Sequence, residues 1–158
     1  MGRRKTWKEK FERPTEPKVV DDPKGRGKML VPTPVLVDSV IRRIPRGKLI
    51  TVNMIRDVLA RRFNADFSCP LATGWFIKIA AWKAEEDMEV RGMDIEQVTP
   101  YWRVVKADGS LNNKFPGGQK QQAEMLRGEG HVIMEKRGRL YVKDFRNSLV
   151  DWEAVGTD

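Results

Sequence analysis

The sequence is poor in the residues that form disulfides and metal sites. It has one cysteine, Cys69, and one histidine, His131, among 158 residues. A single cysteine cannot form an internal disulfide and indicates a reducing compartment. One cysteine with one histidine also cannot supply the common Cys/His zinc sites. We therefore expect neither a bound metal nor a cofactor.

Long apolar runs are also missing. No stretch is long enough to predict a membrane-spanning helix, and residues 1–8 lack the apolar segment of a secretory signal. Apolar residues make up 40% of the chain, which is enough for one hydrophobic core in a chain of this length. These features predict a single folded domain with no membrane partner.

Charge is plentiful but unevenly placed. The formal net charge is +8, and residues 1–28 contain ten Lys/Arg and five Asp/Glu. Residues 39–63 contain seven Lys/Arg and one Asp, whereas residues 84–97 contain six acids and one Arg. A basic block beside an acidic block predicts a polarised surface, which is typical of proteins that contact phosphate backbones and is also compatible with ordinary solvated surface.

Composition divides the chain into three parts. Residues 1–32 are basic, rich in Pro, Lys and Glu and poor in apolar residues, so we expect a disordered arm. Residues 33–143 carry the periodic apolar pattern of the folded domain. Residues 144–158 contain Leu149, Val150 and Trp152, which predict a C-terminal docking tail.

Helical patterns dominate the first half of the folded domain. Thr33-Pro34 is typical of a helix start, and apolar residues recur at helical spacing to Ile44. A second helix is predicted over residues 53–62, and a third begins near Ser68-Cys69-Pro70. On the third, Leu71, Trp75, Ile79 and Trp82 fall at helical intervals on one face. This succession predicts a helix-turn-helix.

Shorter elements follow. The acidic stretch to Gln97 is interpreted as a loop, residues 102–106 as a strand, and residues 119–127 as a helix. A hairpin is predicted over residues 131–142, turned at residues 136–138. The fold class is therefore mainly α with short strands, as in winged-helix or helix-turn-helix DNA-binding domains.

One run of residues resembles a known family. It comprises Pro100-Tyr101-Trp102-Arg103-Val104-Val105, then Gly117-Gly118, then Glu129-Gly130-His131. It is similar to the Pro-Cys-His-Arg-Val-Val, Gly-Gly and Glu-Gly motifs of the DNA-binding domain of methylated-DNA–protein cysteine methyltransferases (O6-alkylguanine-DNA alkyltransferases). The resemblance covers residues 34–131, with the more specific matches downstream.

The resemblance implies a protein that binds duplex DNA with a helix-turn-helix in the minor groove. In the family, a damaged guanine is flipped into a pocket, because its reacting atom is inaccessible in the duplex. A cysteine then takes the alkyl group. The corresponding base pocket here would be formed by Pro100, Tyr101, Trp102, Phe115, Pro116 and Glu129.

The sequence departs from the family where the chemistry takes place. Tyr101 replaces the acceptor cysteine and Trp102 the histidine, while Glu129 is retained. A phenol of ordinary pKa near 10 is mostly protonated, and an indole cannot act as a base. We therefore expect no catalytic residue and a resemblance to the alkyltransferase-like branch, which lacks the acceptor thiol and would signal alkylated or distorted guanine to repair proteins.

Several DNA-facing positions of the family also differ. Its tyrosine after the first helix falls near Val52, and the arginine that fills the gap left by the flipped base falls near Thr73 and Gly74. These changes affect base flipping more than general DNA binding. The candidate DNA contacts are Arg46, Lys48, Thr51, Thr73, Gly74, Lys78 and Arg103.

Two alternatives remain open. Cys69 precedes a predicted helix start, where the helix dipole favours a thiolate, so a methyltransferase with a displaced nucleophile is one. The other is an RNA-binding or protein-binding module on the same scaffold. The main hypothesis predicts a monomer whose partners are double-stranded DNA, alkylated or not, and repair proteins. It also predicts a cytoplasmic location, associated with the nucleoid.

Overall fold

The computed structural model describes residues 6–155. This part contains the helices α1 Trp7–Phe11, α2 Pro34–Ile41, α3 Val52–Arg62, α4 Pro70–Glu89, α5 Gly118–Gly128 and α6 Trp152–Val155. It also contains the strands β1 Lys18–Asp21, β2 Lys28–Val31, β3 Ile50–Thr51, β4 Phe67–Ser68, β5 Val104–Val105, β6 Ile133–Lys136 and β7 Arg139–Val142. The 3-10 turns are Tyr101–Arg103 and Phe145–Ser148. The predicted class, mainly α with short strands, is confirmed.

Helix α2 begins where the sequence predicts. The Thr33 hydroxyl accepts a hydrogen bond from the Leu36 N–H at 3.3 Å, and Pro34 occupies the first turn. Both features satisfy or avoid the unpaired N–H groups of a helix start. The buried residues of α2 include Val37, Val40 and Ile41. Because α2 contacts both α3 and α4, these side chains lie in the centre of the core.

Helices α3 and α4 form the predicted helix-turn-helix arrangement. The Thr51 hydroxyl caps α3 by accepting from the Met54 N–H at 3.1 Å. The chain leaves α3 through Asn64, whose φ of 55° is in the left-handed region that asparagine tolerates. Strand β4 then leads directly into α4. The start of α4 is therefore fixed relative to α3 by a short connection.

Three small sheets hold the helices in place. Strand β2 pairs antiparallel with β1 and parallel with β4, β3 pairs parallel with β5, and β6 pairs antiparallel with β7. The Cys69 N–H, at the start of α4, donates to the Leu30 carbonyl at 2.8 Å. The β2–β4 pairing therefore anchors α4, and the β3–β5 pairing joins the start of α3 to the Tyr101 motif. The winged-helix assignment stays a prediction.

Parts of the N-terminal segment, for which the sequence predicts disorder, form a helix and strands in the structure. Residues 7–11 form α1 on the surface of α4, and residues 28–31 form β2, whose Leu30 is fully buried. The segment has few apolar residues, but they meet apolar partners that are distant in sequence. Trp7, for example, stacks on Trp82 with ring centroids 5.7 Å apart. Residues 1–5 lie outside the described part, and the domain boundaries at 32/33 and 143/144 stay predictions.

The acidic stretch interpreted as a loop is helical to Glu89. Its alanine, glutamate and methionine residues are good helix formers. Asp87 is buried, and its carboxylate is paired with Lys83 and Arg91, both at 2.9 Å. These ion pairs one turn away stabilise the helix and offset the burial of the acid. The loop before Pro100 is therefore shorter than predicted.

The C-terminal segment contacts the domain near β3. The Leu49 N–H donates to the Ser148 carbonyl, and the Val150 N–H donates to the Leu49 carbonyl. Val150 is buried against the core. In residues 6–155, no helix has the length and apolar character needed to cross a membrane.

Candidate nucleic-acid interface and the Tyr101 cluster

The motif residues come together as a packed group, which we call the Tyr101 cluster: Pro100, Tyr101, Trp102, Phe115, Pro116 and Glu129. The Tyr101 ring is fully buried and makes edge contacts with the rings of Trp102 and Phe115, at centroid distances of 5.3 and 5.4 Å. Edge-to-face contacts of this kind stabilise aromatic groups in a core. The predicted pocket residues are therefore neighbours, but their own side chains fill the space.

The Tyr101 hydroxyl points toward α4 and α5. It lies 3.4 Å from the Gln121 Nε2 and 3.8 Å from the Met125 Sδ, and Glu85 interacts with it from α4. Burial, followed by the nearby Glu85 carboxylate, raises the pKa of Tyr101 well above its ordinary value. The phenol is therefore held in its protonated form, which is a poor nucleophile.

The segment that leads into Tyr101 is fixed by a buried polar contact. The Thr99 hydroxyl donates a short hydrogen bond to Asp38 on α2. The other Asp38 oxygen accepts from the Arg42 Nε at 2.8 Å. Because Thr99 and Asp38 are both buried, this contact determines how the Tyr101 turn packs against α2.

Glu129 is the centre of a second polar network. Its carboxylate accepts from the Trp102 Nε1 at 2.7 Å, from the Arg103 Nε and Nη2 at 3.0 and 2.8 Å, and from the Gly47 N–H at 3.0 Å. Burial alone would raise the pKa of Glu129, but Arg103, Gly47 and Trp102 outweigh it and hold that pKa below its ordinary value. Glu129 therefore acts as a charged anchor that joins α5, the Tyr101 turn and residue 47.

Arg103 was predicted as a DNA contact, and its guanidinium is instead engaged inside the protein. Besides Glu129, it donates from Nη1 to the Ile44 carbonyl at 2.7 Å. Its side chain is 14% exposed, and that of Glu129 is 4% exposed. A cation held by a buried carboxylate and a carbonyl has little capacity for a phosphate. Its evident role is to hold the end of α2.

The loop between β5 and α5 closes over the cluster. The Trp82 Nε1 donates to the Lys114 carbonyl at 2.9 Å, which ties α4 to this loop. Gly117 and Gly118 have φ of 73° and 68°, a backbone conformation that glycine adopts without strain. A cavity of about 250 Å³ lies beside Trp102 and Glu129, and Tyr101, Phe115 and Pro116 do not line it.

Two of the predicted DNA contacts are buried. Thr73 is fully buried and its hydroxyl donates to the Cys69 carbonyl at 2.7 Å. Thr51 is buried and serves as the cap of α3. Both hydroxyls are satisfied within the fold, so neither residue is placed to contact DNA. The sequence alone did not indicate whether the side chains of Thr51 and Thr73 face the core or the solvent.

The remaining candidates lie on the surface. Arg46 and Lys48 are exposed in the turn after α2, where the Arg46 Nη2 donates to the Gly128 carbonyl at 2.7 Å. Gly74 is exposed on α4, and the Lys78 Nζ lies 5.0 Å from the ring centroid of Trp75. The structure therefore leaves two groups of candidates at the surface, one in the turn after α2 and one on α4, where Lys78 is half-buried.

The exposed face of α4 is defined by Leu71, Gly74, Trp75 and Lys78. Leu71 is 86% exposed and Trp75 is 47% exposed, whereas Ile79 of the same apolar stripe is buried. The inward face includes Ile79 and, besides it, Thr73, Ile77, Ala80, Ala81 and Ala84. These mostly small side chains allow close packing against α2, and their spacing was the signal that sequence reasoning missed.

Cys69 is distant from the Tyr101 cluster. It is the residue before α4, partly buried, and its side chain makes no capping hydrogen bond. Glu85, which faces the Tyr101 hydroxyl, follows it by sixteen positions, or about 24 Å along a helix. A thiol there cannot take the place of the family's acceptor inside the cluster. Residues 6–155 also contain no group of His, Cys, Asp and Glu arranged to hold a metal ion.

Comparison with known proteins supports the fold at the structural level. No protein-family model matches the sequence, and no curated protein matches it. Two solved structures are similar: S. pombe Atl1 in complex with damaged DNA containing O6-carboxymethylguanine, and S. pombe ATL in complex with DNA. In each case the TM-score is 0.51 and the identity 18%, over 75% of this chain and 94% of the other. This chain therefore has the fold of those DNA-bound structures.

Proposed function

We propose that this chain is a non-catalytic, alkyltransferase-like DNA-binding protein that places α4 in the minor groove of duplex DNA. The observation that carries the proposal is the exposed face of α4, on which Leu71, Gly74, Trp75 and Lys78 project from a helix-turn-helix. The similar solved structures contain DNA, and one contains a damaged guanine. Apolar and cationic side chains together suit groove binding.

The absence of catalysis in this proposal is supported by the chemistry of the cluster. The Tyr101 phenol is kept protonated by burial and by Glu85, and the Trp102 indole donates to Glu129 instead of accepting a proton. An alkyl acceptor needs a nucleophile that a base or a positive environment activates. In this cluster, neither the acceptor nor the base is available.

Recognition of an alkylated or distorted guanine by base flipping is the finer part of the proposal. Tyr101 packs against the rings of Trp102 and Phe115, so a flipped base would have to displace one of these rings to enter the cluster. Entry of a base would require the loop held by the Trp82–Lys114 hydrogen bond to move away from α4. Recognition of a distorted duplex and signalling to repair proteins do not require this loop to move.

The proposal is tested by fluorescence anisotropy with a labelled duplex. Trp75→Ala and Lys78→Gln should weaken binding, the former by about 1–3 kcal/mol if the indole contacts a base, which corresponds to about 5- to 140-fold. Lys24→Gln, an exposed cation in the turn between β1 and β2, is the matched control and should bind as the unaltered chain does. If Trp75→Ala and Lys78→Gln bound the duplex as tightly as the Lys24→Gln control, the proposed role of α4 in DNA binding would be contradicted.

Two further arms separate the alternatives. An O6-methylguanine duplex in place of the plain duplex measures lesion recognition, and mass spectrometry after incubation measures alkyl transfer. We expect the mass to stay unchanged; a gain of one methyl group on Cys69 would instead establish the displaced-nucleophile methyltransferase. Competition with structured RNA tests the remaining alternative, because an RNA-binding module would release the duplex.

A further inference from the structure

Helix α1 covers the continuation of the exposed face of α4. At helical spacing along α4, Leu71, Trp75 and Lys78 are followed by Trp82. The Trp82 ring is stacked against Trp7 of α1, with centroids 5.7 Å apart and the planes inclined by 23°. The α1 segment therefore begins where the exposed face of α4 ends, and it borders the surface that we propose for DNA.

Several contacts hold α1 in this position. The Trp7 and Lys8 N–H groups donate to the two Glu86 oxygens at 3.0 and 3.3 Å. Further along, the Lys83 Nζ lies 4.9 Å from the Phe11 ring centroid. Polar and aromatic contacts thus fix both ends of this short helix on α4. A segment ordered before binding loses less conformational entropy when it contacts a ligand.

Between α1 and α4 lies a cleft of about 300 Å³, which we call the α1–α4 cleft. It is bordered on one side by Lys10, Arg13 and Thr15, and on the other by Trp75, Phe76 and Ile79. The two cations are three residues apart, beside the exposed indole of Trp75. Within residues 6–155, neither cation forms an ion pair, and the Lys10 Nζ lies 4.1 Å from the centroid of the Trp7 ring.

The chemistry of the cleft favours an anionic ligand. The three acids of the same segment, Glu9, Glu12 and Glu16, do not line it, so two cations and a hydroxyl meet there without a carboxylate from this segment. Guanidinium and ammonium groups beside an aromatic face are typical of surfaces that follow a phosphate backbone. The cleft also adjoins Trp75, which belongs to the exposed face of α4.

We propose that Lys10 and Arg13 contact backbone phosphates of DNA bound across α4, so that the α1 segment widens the DNA interface. This inference rests on the proposed function, because it needs a duplex on the exposed face of α4. It adds a contact made by residues outside the segment that resembles the alkyltransferase family.

The test is the salt dependence of duplex binding by a Lys10→Gln/Arg13→Gln variant. Each phosphate contact contributes about 0.9 to the log–log slope of affinity against salt, so this variant should lower the slope by about 1.8. Across a fourfold salt range, its affinity should therefore vary about tenfold less than that of the unaltered chain. The control variant Lys24→Gln/Lys143→Gln removes two exposed cations outside the cleft and should keep the original slope.

A single substitution guards against misfolding. Arg13→Gln removes a side chain with no described contact inside the protein and should lower the slope by about 0.9, with unchanged thermal unfolding. An unchanged slope in both cleft variants would overturn the inference and leave the proposed function standing. An equal fall of the slope in the control variant would also overturn it, since the fall would then result from the lower net charge of the protein and not from the cleft. A salt-independent response of the unaltered chain would overturn both.

Discussion

The Tyr101 cluster packs against one side of α4, and the exposed face of α4 lies on the same helix, yet the two regions differ in burial and in their polar contacts. In the cluster, aromatic rings fill the interior and the Glu129 carboxylate accepts hydrogen bonds from three residues. On the exposed face, Leu71 and the Trp75 indole meet solvent next to Lys78. The difference teaches that motif residues can serve packing, while the surface that we propose for binding lies elsewhere on the scaffold.

The largest expected effect comes from emptying the cluster. Tyr101→Ala should lower the free energy of unfolding by about 3–5 kcal/mol, as other aromatic-to-alanine changes in cores do. Tyr101→Phe should cost less than about 1 kcal/mol, because the ring stays in place and the hydroxyl's contacts with Gln121 and Met125 are long, at 3.4 and 3.8 Å. Urea denaturation measures both. Equal stability of Tyr101→Ala and the unaltered chain would mean that the ring is not a core element.

Glu129→Ala tests whether the polar network is structural. It leaves the Arg103 guanidinium without its carboxylate and the Trp102 and Gly47 N–H groups without an acceptor, so we expect a loss of about 3 kcal/mol. The matched control is Glu124→Ala on the same helix, which breaks an exposed pair with Arg127 and should cost less than about 1 kcal/mol. Similar losses for the two variants would remove the contrast between cluster and surface.

The pH dependence of stability sharpens the same point. The folded-state pKa of Glu129 lies below its ordinary value, so its contribution is complete above about pH 4.3, the ordinary pKa of glutamate, and is lost as the pH falls through the folded pKa. Glu129→Gln should therefore differ most from the unaltered chain near neutral pH and least near pH 3. Urea denaturation of both proteins across this range measures the difference; a difference that grows toward acid pH would contradict it.

The smallest expected effect is at Cys69, outside both regions. This residue precedes α4 without a capping hydrogen bond, and serine at such a position accepts one from the first turn. Cys69→Ser should raise the free energy of unfolding by about 0.5–1 kcal/mol and leave duplex affinity unchanged. Thermal unfolding and anisotropy measure the two. A loss of DNA binding on this change would favour the alternative in which the thiol takes part in function.

Local signals predicted much of the helical framework. Thr33-Pro34 marks the start of α2, and Ile55, Val58 and Leu59, at helical spacing, are among the buried residues of α3. These features depend on neighbours within one or two turns, which the sequence displays directly. The motif also predicted that Glu129 lies close to Tyr101 and Trp102, and the Trp102 Nε1 donates to Glu129 in the structure.

Long-range packing is what the sequence could not provide. The stacking of Trp7 on Trp82 joins positions 75 residues apart, and no local pattern indicates it. On α4, two apolar stripes compete, and the smaller side chains Ala80, Ala81 and Ala84 face inward because α2 approaches closely there. Whether the Tyr101 ring lines a pocket or fills it depends on Phe115 and Trp102 in three dimensions.

The most direct test of the account is the affinity of the unaltered chain for a plain duplex between 50 and 200 mM salt. If the exposed face of α4 and its neighbouring cations hold the phosphate backbone, the logarithm of the association constant falls linearly with the logarithm of the salt concentration. An affinity that stays constant over this range would contradict the central claim.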